Sequence, residues 1–373
     1  MLASVAKIAF CLGFFVFGLT PLLVILERRI SAWMQGRIGP NRVDTIIIGR
    51  LGGLLPRGLG HPLADAVKLI FKEDILPEKA DKWLYWAAPM IVIVPPALGL
   101  IVIPFGSRIG AEQLQVADLG IGVLWTMSVL SVAVYGLAFG GWASNNKYSL
   151  LGGLRSSAQL ISYELSLGLS ILTVLMLTAA HPAYDGGTVL PHEIVRRQVE
   201  HGWNILGGGN YWLAPFALLS FVLFYTSALA ENNRLPFDLP ECEAELVGGY
   251  HTEYSGLKFA MFMMGEYVGM TLMSALMVTF FFGGWSLPSP FGLLGGANAW
   301  LDGGAWYQGA ASVGIFVGKT MVLLLLYIAL RWTLPRFKYN QLMDLGWKRL
   351  VPIGLANLAA IAVVGILTAG GAK

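Results

Sequence analysis

The sequence is poor in cysteine and histidine, the residues that hold iron–sulfur clusters and zinc. Only two cysteines occur in 373 residues, Cys11 in an apolar run and Cys242 in a polar loop, beside five dispersed histidines. Because the sequence contains no Cys-x-x-Cys pair and no Cys/His cluster, we expect no iron–sulfur or structural zinc site in this chain. Any electrons must then be carried by other chains.

Charge is equally scarce, and its scarcity argues against a soluble domain. Charged residues make up 13 % of the chain and hydrophobic residues 56 %, whereas soluble domains carry about 25 % charged residues. The formal net charge of +3 is too small and too dispersed for nucleic-acid binding. These values predict a chain whose solvent is a lipid bilayer.

Long apolar runs are what the sequence has in abundance. Crossing a bilayer takes about 20 mostly apolar residues in a helix, and eight stretches qualify: 8–26, 84–104, 120–141, 158–180, 211–230, 259–285, 310–330 and 350–368. The prediction is an all-α integral membrane protein, folded as a single polytopic domain over residues 1–373. The segment 181–210 is polar and glycine-rich, and we interpret it as a connecting loop.

The distribution of Lys and Arg predicts the orientation. Loops 27–83, 142–157, 231–258 and 331–349, called loops one, three, five and seven, hold nineteen of these residues, against three in the other loops. Cytoplasmic loops are enriched in Lys and Arg, so we expect these four loops in the cytoplasm and both termini on the outer side.

Loop one also contains the pattern of an amphipathic helix. In Leu63–Lys72, apolar residues at 63, 67, 70 and 71 fall on one helical face, and charged residues at 65, 68 and 72 fall on the other. Such a helix lies in the membrane interface rather than across it. We therefore predict an in-plane helix in the first cytoplasmic loop.

Four glutamates lie within the predicted spans or at their ends: Glu27, Glu164, Glu231 and Glu266. Given the predicted orientation, all four occupy the cytoplasmic half of the membrane. One interpretation is structural, with each glutamate paired to a nearby Lys, Arg or Tyr or placed at the interface. The other is a proton path, since ionisable residues inside spans are costly and mark functional sites. Neither Glu164 nor Glu266 has a cation on its own span, which favours the path.

Loop five is the densest polar segment of the chain, with acidic residues around the single Arg234. These residues are Asp238, Glu241, Glu243, Glu245 and Glu253. They form either a solvated acidic loop or a coupled set of carboxylates that stores and releases protons. A divalent-cation site is possible on oxygen count alone, but the spacing matches no known ligand loop. The basic loops one and seven beside this acidic loop indicate a docking surface for a soluble partner.

Several motifs together make the sequence recognisable. They are "ERR" at Glu27, "QGRIGPNRV" at Gln35, "PLADAVKLIFKED" at Pro62, "QLISYELSLGL" at Gln159, "LAENNRLPFDLPE" at Leu229, "AELVGGYHTEYSG" at Ala244, "GEY" at Gly265 and "LPRFKYNQLM" at Leu334. Across nearly all eight spans the chain resembles the family of H subunits of the bacterial proton-pumping NADH:quinone oxidoreductase, respiratory complex I. The set is highly specific, although any one motif alone would be weak.

The resemblance implies a membrane subunit of a translocase, joining a hydrophilic redox arm to the membrane arm in a bacterial inner membrane. Quinone would be the substrate, while FMN and the iron–sulfur clusters would be bound by partner subunits. The implied partners are the hydrophilic quinone-site subunits, one of them holding the terminal iron–sulfur cluster, together with small membrane subunits, antiporter-like subunits and lipid. Nucleic acid is not among them.

The resemblance also implies roles for individual residues. The quinone cavity or its acidic loop would be bordered by Arg37, Asp65, Arg234, Asp238, Glu241, Glu243, Glu245 and Arg331. The proton path towards the antiporter-like subunits would begin at Glu27, Glu164, Glu231 and Glu266. No residue of this chain would be catalytic in itself, and none would bind a metal.

The working hypothesis is that quinone reduction changes the charge of a cavity lined by loop five, and that protonation then moves inward through Glu231, Glu164 and Glu266. The nearest alternative is the equivalent membrane subunit of an energy-converting hydrogenase, which lacks quinone. A stand-alone proton or cation antiporter needs no docking surface, so the charged loops disfavour it. A passive anchor is disfavoured by the cost of Glu164 and Glu266.

Overall fold

The computed structural model describes residues 2–41, 43, 58, 60–179, 186–239, 247–288 and 295–370. Within them, eight helical segments are long and apolar enough to cross a membrane. The only strands among these residues are β1 (Arg108–Ile109) and β2 (Glu112–Gln113), which pair antiparallel. The predicted all-α membrane fold is confirmed.

The helices follow one another in a simple order. They are α1 (Leu2–Phe10), α2 (Thr20–Met34), α3 (Gly60–Phe71), α4 (Lys82–Leu100), α5 (Gly122–Ala143), α6 (Lys147–Ala179), α7 (Pro191–His201), α8 (Ala214–Glu231), α9 (Gly256–Phe281), α10 (Gly295–Leu301), α11 (Trp306–Thr333), α12 (Tyr339–Asp344) and α13 (Val351–Gly370). Wider π-helical turns at Cys11–Leu19 and Leu345–Leu350 make α1–α2 and α12–α13 continuous.

Helix α9 lies at the centre of the fold. Seventy-eight per cent of its apolar window is buried inside the protein, more than in any of the other seven segments. Its neighbours approach closely because glycines line the contacts: a Cβ on Gly265 would lie 2.7 Å from Val92 of α4, and one on Gly136 of α5 would lie 2.6 Å from the same valine. This packing fixes the position of Glu266, the residue after Gly265.

The C-terminal end of α9 and the residues that follow it are held by polar side chains from three other segments. Gln198 donates to the carbonyl of Thr279 at 2.8 Å, and Asn204 donates to that of Phe280 at 2.7 Å. Lys319 of α11 donates to the carbonyls of Phe282, Gly284 and Ser286 at 2.5–2.9 Å. The last carbonyls of a helix have no partner within it, so these side chains allow α9 to end inside the protein.

Segment 181–210 is not merely a connecting loop, and the sequence interpretation is wrong there. It contains α7, which begins at Pro191 in the first helical turn and buries Ile194, Val195 and Gln198. Its Glu193 forms ion pairs with Arg196 and Arg197 on the same helix. Only two to three apolar residues form the buried face of α7, so the composition of the segment alone did not indicate a helix.

Helix α3 forms where an amphipathic helix was predicted. Leu63, Val67, Ile70 and Phe71 are all exposed on the surface of this chain. Their apolar face thus remains available to the membrane interface or to a neighbouring chain. Its position in the plane of the membrane stays a prediction.

His192 on α7 gives the protein a pH-dependent term in its stability. Burial lowers the pKa of His192 below its usual 6.5, and the charge of Arg196 lowers it slightly further. The carboxylates of Asp118, Glu193 and Asp302 raise it, but their effect is smaller than that of burial. The unfolded chain therefore binds the proton more readily than the folded one. The contribution of the neutral, buried His192 to the free energy of unfolding is therefore complete above about pH 6.5 and decreases as the pH falls below that value.

We expect His192→Gln to flatten this pH dependence. The thermal unfolding temperature of the detergent-solubilised protein should drop less between pH 7.5 and pH 5.5 in the variant than in the parent. His201→Gln, on the same helix, serves as the control. An identical drop in parent and His192→Gln would show that His192 does not contribute to it.

Candidate functional site

A cluster of buried carboxylates and arginine forms where α2, α8, α9 and α11 meet. Arg234, three residues after the end of α8, lies between Glu27 of α2 and Glu266 of α9. Its guanidinium nitrogens lie 3.7 Å from Glu27 Oε1 and 3.3 Å from Glu266 Oε2. All three residues are less than one-tenth exposed. One arginine thus bridges two helices whose glutamates are 239 positions apart in the sequence.

Two further groups complete the environment of Glu27. Arg331, near the end of α11, forms an ion pair with Glu27 Oε1, and the hydroxyl of Tyr267 donates to Glu27 Oε2 at 2.5 Å. The Arg234 guanidinium also lies over the Tyr267 ring, 4.5 Å from its centroid. Glu27 is therefore a fully partnered carboxylate, as buried charges require.

Glu266 is not the lone carboxylate that its own helix suggests. Besides Arg234, the hydroxyl of Tyr250 donates to Glu266 Oε1 at 3.1 Å. The sequence offers Glu266 no cation on its own span, and the structure supplies one from loop five. The tyrosines Tyr250 and Tyr267 were not singled out from the sequence, although both lie in the motifs "AELVGGYHTEYSG" and "GEY".

Glu231 and Glu164 differ from this pair because no cation contacts either of them among the described residues. Glu164 Oε1 accepts a hydrogen bond from Ser131 of α5. Glu231 Oε2 is buried and has no hydrogen-bond partner in the described part of the chain. The two glutamates interact electrostatically with each other, so a proton on one affects the other.

A small cavity lies between these groups. Its volume is about 50 Å³, and its polar lining comes from Glu231, Asn232, Asn233 and Glu266. A cavity of this size with several polar partners can hold ordered water. Water there would connect the carboxylate of Glu231 with the arginine-paired carboxylate of Glu266.

The start of loop five is fixed by Gln159 of α6. Its amide nitrogen donates to the carbonyls of Ala230 at 2.7 Å and Phe237 at 3.0 Å, and to Asn233 Oδ1 at 3.3 Å. A single buried side chain therefore ties the end of α8 to the first turn of loop five. This contact holds Arg234 at the mouth of the cluster.

Loop five is also joined to loop seven. Asp238 Oδ2 accepts from Arg336 at 2.9 Å, and the backbone N–H of Phe337 donates to the carbonyl of Pro236 at 3.2 Å. The rings of Phe237 and Phe337 pack with centroids 5.5 Å apart. Asp238 therefore contacts a cation of loop seven, a partner that the local sequence around Arg234 did not indicate.

The remaining predicted site residues lie around the cluster or beyond it. Asp65 of α3 pairs at 2.7 Å with Arg28, the residue after Glu27. Arg37 is exposed on an open depression of about 620 Å³ that Arg28 also lines, and its guanidinium donates to the Gln35 side chain. Three predicted residues, Glu241, Glu243 and Glu245, lie outside the residues that the structure describes.

No group of three His, Cys, Asp or Glu side chains suited to a metal ion occurs among the described residues. The cluster itself consists of carboxylates that share one arginine, so their proton binding depends on the position of that arginine.

Known proteins with similar sequences agree on one family. The profile of the NADH dehydrogenase family matches residues 6–362. An NADH-quinone oxidoreductase H subunit of Geobacter metallireducens is 44 % identical over 357 residues, which covers 95 % of this chain and 93 % of the relative. "NADH-quinone oxidoreductase subunit 8" of Rhodothermus marinus is also 44 % identical, over 92 % of this chain and 91 % of its own. The predicted family is confirmed: the chain belongs to the NADH dehydrogenase family, together with the H subunits of NADH-quinone oxidoreductases.

Proposed function

We propose that this chain is the membrane subunit of a proton-translocating NADH:quinone oxidoreductase that helps form the quinone cavity and couples quinone reduction to proton movement. The observation that supports it most strongly is the bridge from Arg234 of loop five to Glu27 and Glu266 inside the helices. This bridge joins a loop that would border the cavity to carboxylates within the membrane. The names of the relatives support the redox reaction.

The residues of this chain couple quinone reduction to proton binding through electrostatic interactions. Reduction of a quinone to a quinol takes up two electrons and two protons, so the charge and hydrogen bonding at the cavity change during each turnover. Loop five, tied to loop seven by Asp238 and Arg336, transmits that change to Arg234. When Arg234 shifts relative to Glu27 and Glu266, both carboxylates lose part of their cationic partner and bind a proton more readily.

The proposed order differs from the one expected from the sequence: from Glu266 the proton would enter the small cavity and reach Glu231, then Glu164. The supporting geometry is that Glu231 and Glu266 line the same cavity and that Glu231 and Glu164 interact electrostatically. Two carboxylates that interact strongly titrate as a pair. Proton arrival at one member therefore promotes release from the other.

The remaining assignments belong to the same proposal. The cytoplasmic side carries loops one, three, five and seven, and both termini lie outside. FMN and the iron–sulfur clusters are held by hydrophilic partner subunits that dock on the charged loops, and antiporter-like and small membrane subunits adjoin within the bilayer. Arg37, Asp65 and Arg331 border the cavity mouth, together with Glu241, Glu243 and Glu245 of loop five.

Membership in a redox complex is tested by native electrophoresis. Membranes solubilised in mild detergent are separated on a blue-native gel, stained for NADH oxidation and analysed by mass spectrometry in the band that contains this chain. The proposal expects co-migration with NADH-oxidising activity and with flavin and iron–sulfur subunits. Migration with a hydrogenase, or as a small oligomer without redox subunits, contradicts it.

The contact between loops five and seven leads to a prediction about quinone affinity. Asp238→Asn removes the negative partner of Arg336, so the loops lose a charge-assisted hydrogen bond. We expect the KM for quinone to rise about tenfold, since about 1.4 kcal/mol corresponds to tenfold in affinity. Steady-state NADH oxidation at varied quinone concentration measures it.

Asp344→Asn is the matched control for this experiment. Asp344 also pairs with a cation, Lys348, but at an exposed i,i+4 position, where an ion pair contributes little. Its KM should stay at the parental value. An unchanged KM in Asp238→Asn would show that the contact between loops five and seven does not affect quinone binding.

A further inference from the structure

Two buried tyrosines lie deeper along the helices than Glu231. Tyr225 of α8 and Tyr327 of α11 have ring centroids 5.0 Å apart and are 7 % and 2 % exposed. Tyr225 precedes Glu231 by six residues, which corresponds to about 9 Å along the helix at 1.5 Å per residue. Neither hydroxyl has a hydrogen-bond partner within the described residues.

Unpartnered hydroxyls at this place are costly, and phenylalanine would avoid the cost. Phe221 packs against Tyr225 with centroids 6.0 Å apart, and Phe224 lies on the same helix in the same aromatic core. A phenylalanine at 225 or 327 would keep these ring contacts without burying a polar group. The hydroxyls therefore indicate a polar partner that the protein itself does not supply.

Glu231 lies beside the two tyrosines, Tyr225 and Tyr327, and interacts with one of them. Its Oε2 atom is also buried without a protein partner among the described residues, and Tyr327 interacts electrostatically with both Glu231 and Tyr225. The Asn232 side chain also lies close to the Tyr327 hydroxyl, but the two form no hydrogen bond, and the amide nitrogen of Asn232 donates to the carbonyl of Ala228 at 2.7 Å. Three polar groups, from Glu231, Tyr327 and Tyr225, thus lie at one junction of two helices without partners in the described part of the protein.

We propose that the Glu231 carboxyl and the hydroxyls of Tyr327 and Tyr225 bind ordered water between α8 and α11. Water is the ligand of the right size for a site in a packed membrane interior, and it needs two to four polar partners. A tyrosine hydroxyl both donates and accepts, so it takes up one proton while releasing another. The water and the two hydroxyls therefore extend the proton route of Glu231 inward, on the side away from Glu164.

This inference rests on the proposed function, in which Glu231 exchanges protons during turnover. It adds a second exit from Glu231, formed by two residues to which neither the sequence motifs nor the carboxylate cluster assigns a role. Tyr327→Phe and Tyr225→Phe keep the rings and remove only the hydroxyls, so they leave the packing of the helices intact. Tyr135→Phe, at an exposed position of α5, is the matched control.

The test uses the intact complex purified from membranes. Cryo-electron microscopy at a resolution that shows ordered water is combined with proton-pumping measurements in vesicles. We expect at least one water within hydrogen-bond distance of both the Tyr327 hydroxyl and the Glu231 carboxyl. In the double variant Tyr225→Phe/Tyr327→Phe this water should be lost and the pumping rate should fall severalfold, while Tyr135→Phe keeps the parental rate.

Two results would overturn the inference. One is a dry site, or hydroxyls bonded directly to protein groups. The other is a double variant that pumps at the parental rate although the water is present in the parent. A loss of pumping in Glu164→Gln together with parental pumping in the double variant would reject this inference and leave the proposed function standing. Parental pumping in Glu164→Gln would reject the proposed role of Glu164 itself.

Discussion

Replacing Arg234 by Met is expected to lower NADH:quinone turnover by about a hundredfold or more. The substitution leaves Glu27 with Arg331 and removes the guanidinium that pairs with Glu266. Removing one partner of a buried ion pair costs about 3–5 kcal/mol, and each 1.36 kcal/mol corresponds to about a factor of ten. Turnover is measured in membrane vesicles with NADH and a soluble quinone.

Assembly must be separated from turnover in this experiment. NADH oxidation with an acceptor that bypasses quinone reports how much complex is present, and Arg196→Met on the surface of α7 is the control for loss of an arginine. The combination Arg234→Met/Glu266→Gln removes the uncompensated charge of Glu266 and keeps Glu27 paired with Arg331, so it should restore assembly without restoring quinone turnover. Full turnover in Arg234→Met alone would contradict the bridging role.

Replacing Lys319 by Met is the second change with a large expected effect, here on stability. The Lys319 ammonium donates to three carbonyls just after the C-terminal end of α9 and lies 4.4 Å from the centroid of the Trp203 ring. A hydrogen bond to a charged group contributes about 1.5–3 kcal/mol, and a cation at a helix C-terminus adds to it. We expect a loss of about 3 kcal/mol or more, the size of one to two such bonds.

The loss is measured as a lower temperature at which the detergent-solubilised complex dissociates, followed by native electrophoresis after brief heating. Lys147→Met, at the exposed first residue of α6, should leave that temperature unchanged. The dissociation temperature of Lys319→Arg should lie between those of Lys319→Met and the parent, since arginine keeps the charge but not the compact ammonium group. An unchanged dissociation temperature in Lys319→Met would remove Lys319 from the contacts that hold α9.

Composition and hydropathy were sufficient to predict the membrane fold. The apolar runs give the number of spans directly, since a bilayer leaves few alternatives to a helix. Lys319 lies inside the seventh predicted span, 310–330, where a charged residue has no evident role from the sequence alone. Its role is visible only in three dimensions, because the carbonyls that it binds belong to residues 33 to 37 positions away.

The candidate site was predicted in part. The spacing of spans placed Glu27, Glu164, Glu231 and Glu266 in one half of the membrane, but hydropathy does not specify how a span is rotated about its axis. The pairing of Glu27 with Glu266 through Arg234 is therefore a property of the packing. The same holds for the link between Asp238 and loop seven, whose partner Arg336 is 98 positions away.

Within the cluster, sequence reasoning recognised the acids and missed the tyrosines. Acids stand out in an apolar span because their burial is costly, whereas Tyr250, Tyr267, Tyr225 and Tyr327 look like ordinary core aromatics. A role for their hydroxyls can be inferred only from the groups that surround them in the structure. Two of them bind a glutamate directly, and the other two have no protein partner among the described residues.

Proton transfer through the buried glutamates is tested most directly by the proton-to-electron ratio of Glu164→Gln in sealed vesicles, with assembly verified on a blue-native gel. Glutamine keeps the shape and the hydrogen bond to Ser131 but cannot transfer a proton. Glu200→Gln, an exposed glutamate of α7, is the control and should pump as the parent does. We predict a fully assembled Glu164→Gln complex whose ratio falls well below the parental value. A Glu164→Gln complex that assembles normally and pumps at the parental ratio would contradict the proposed path.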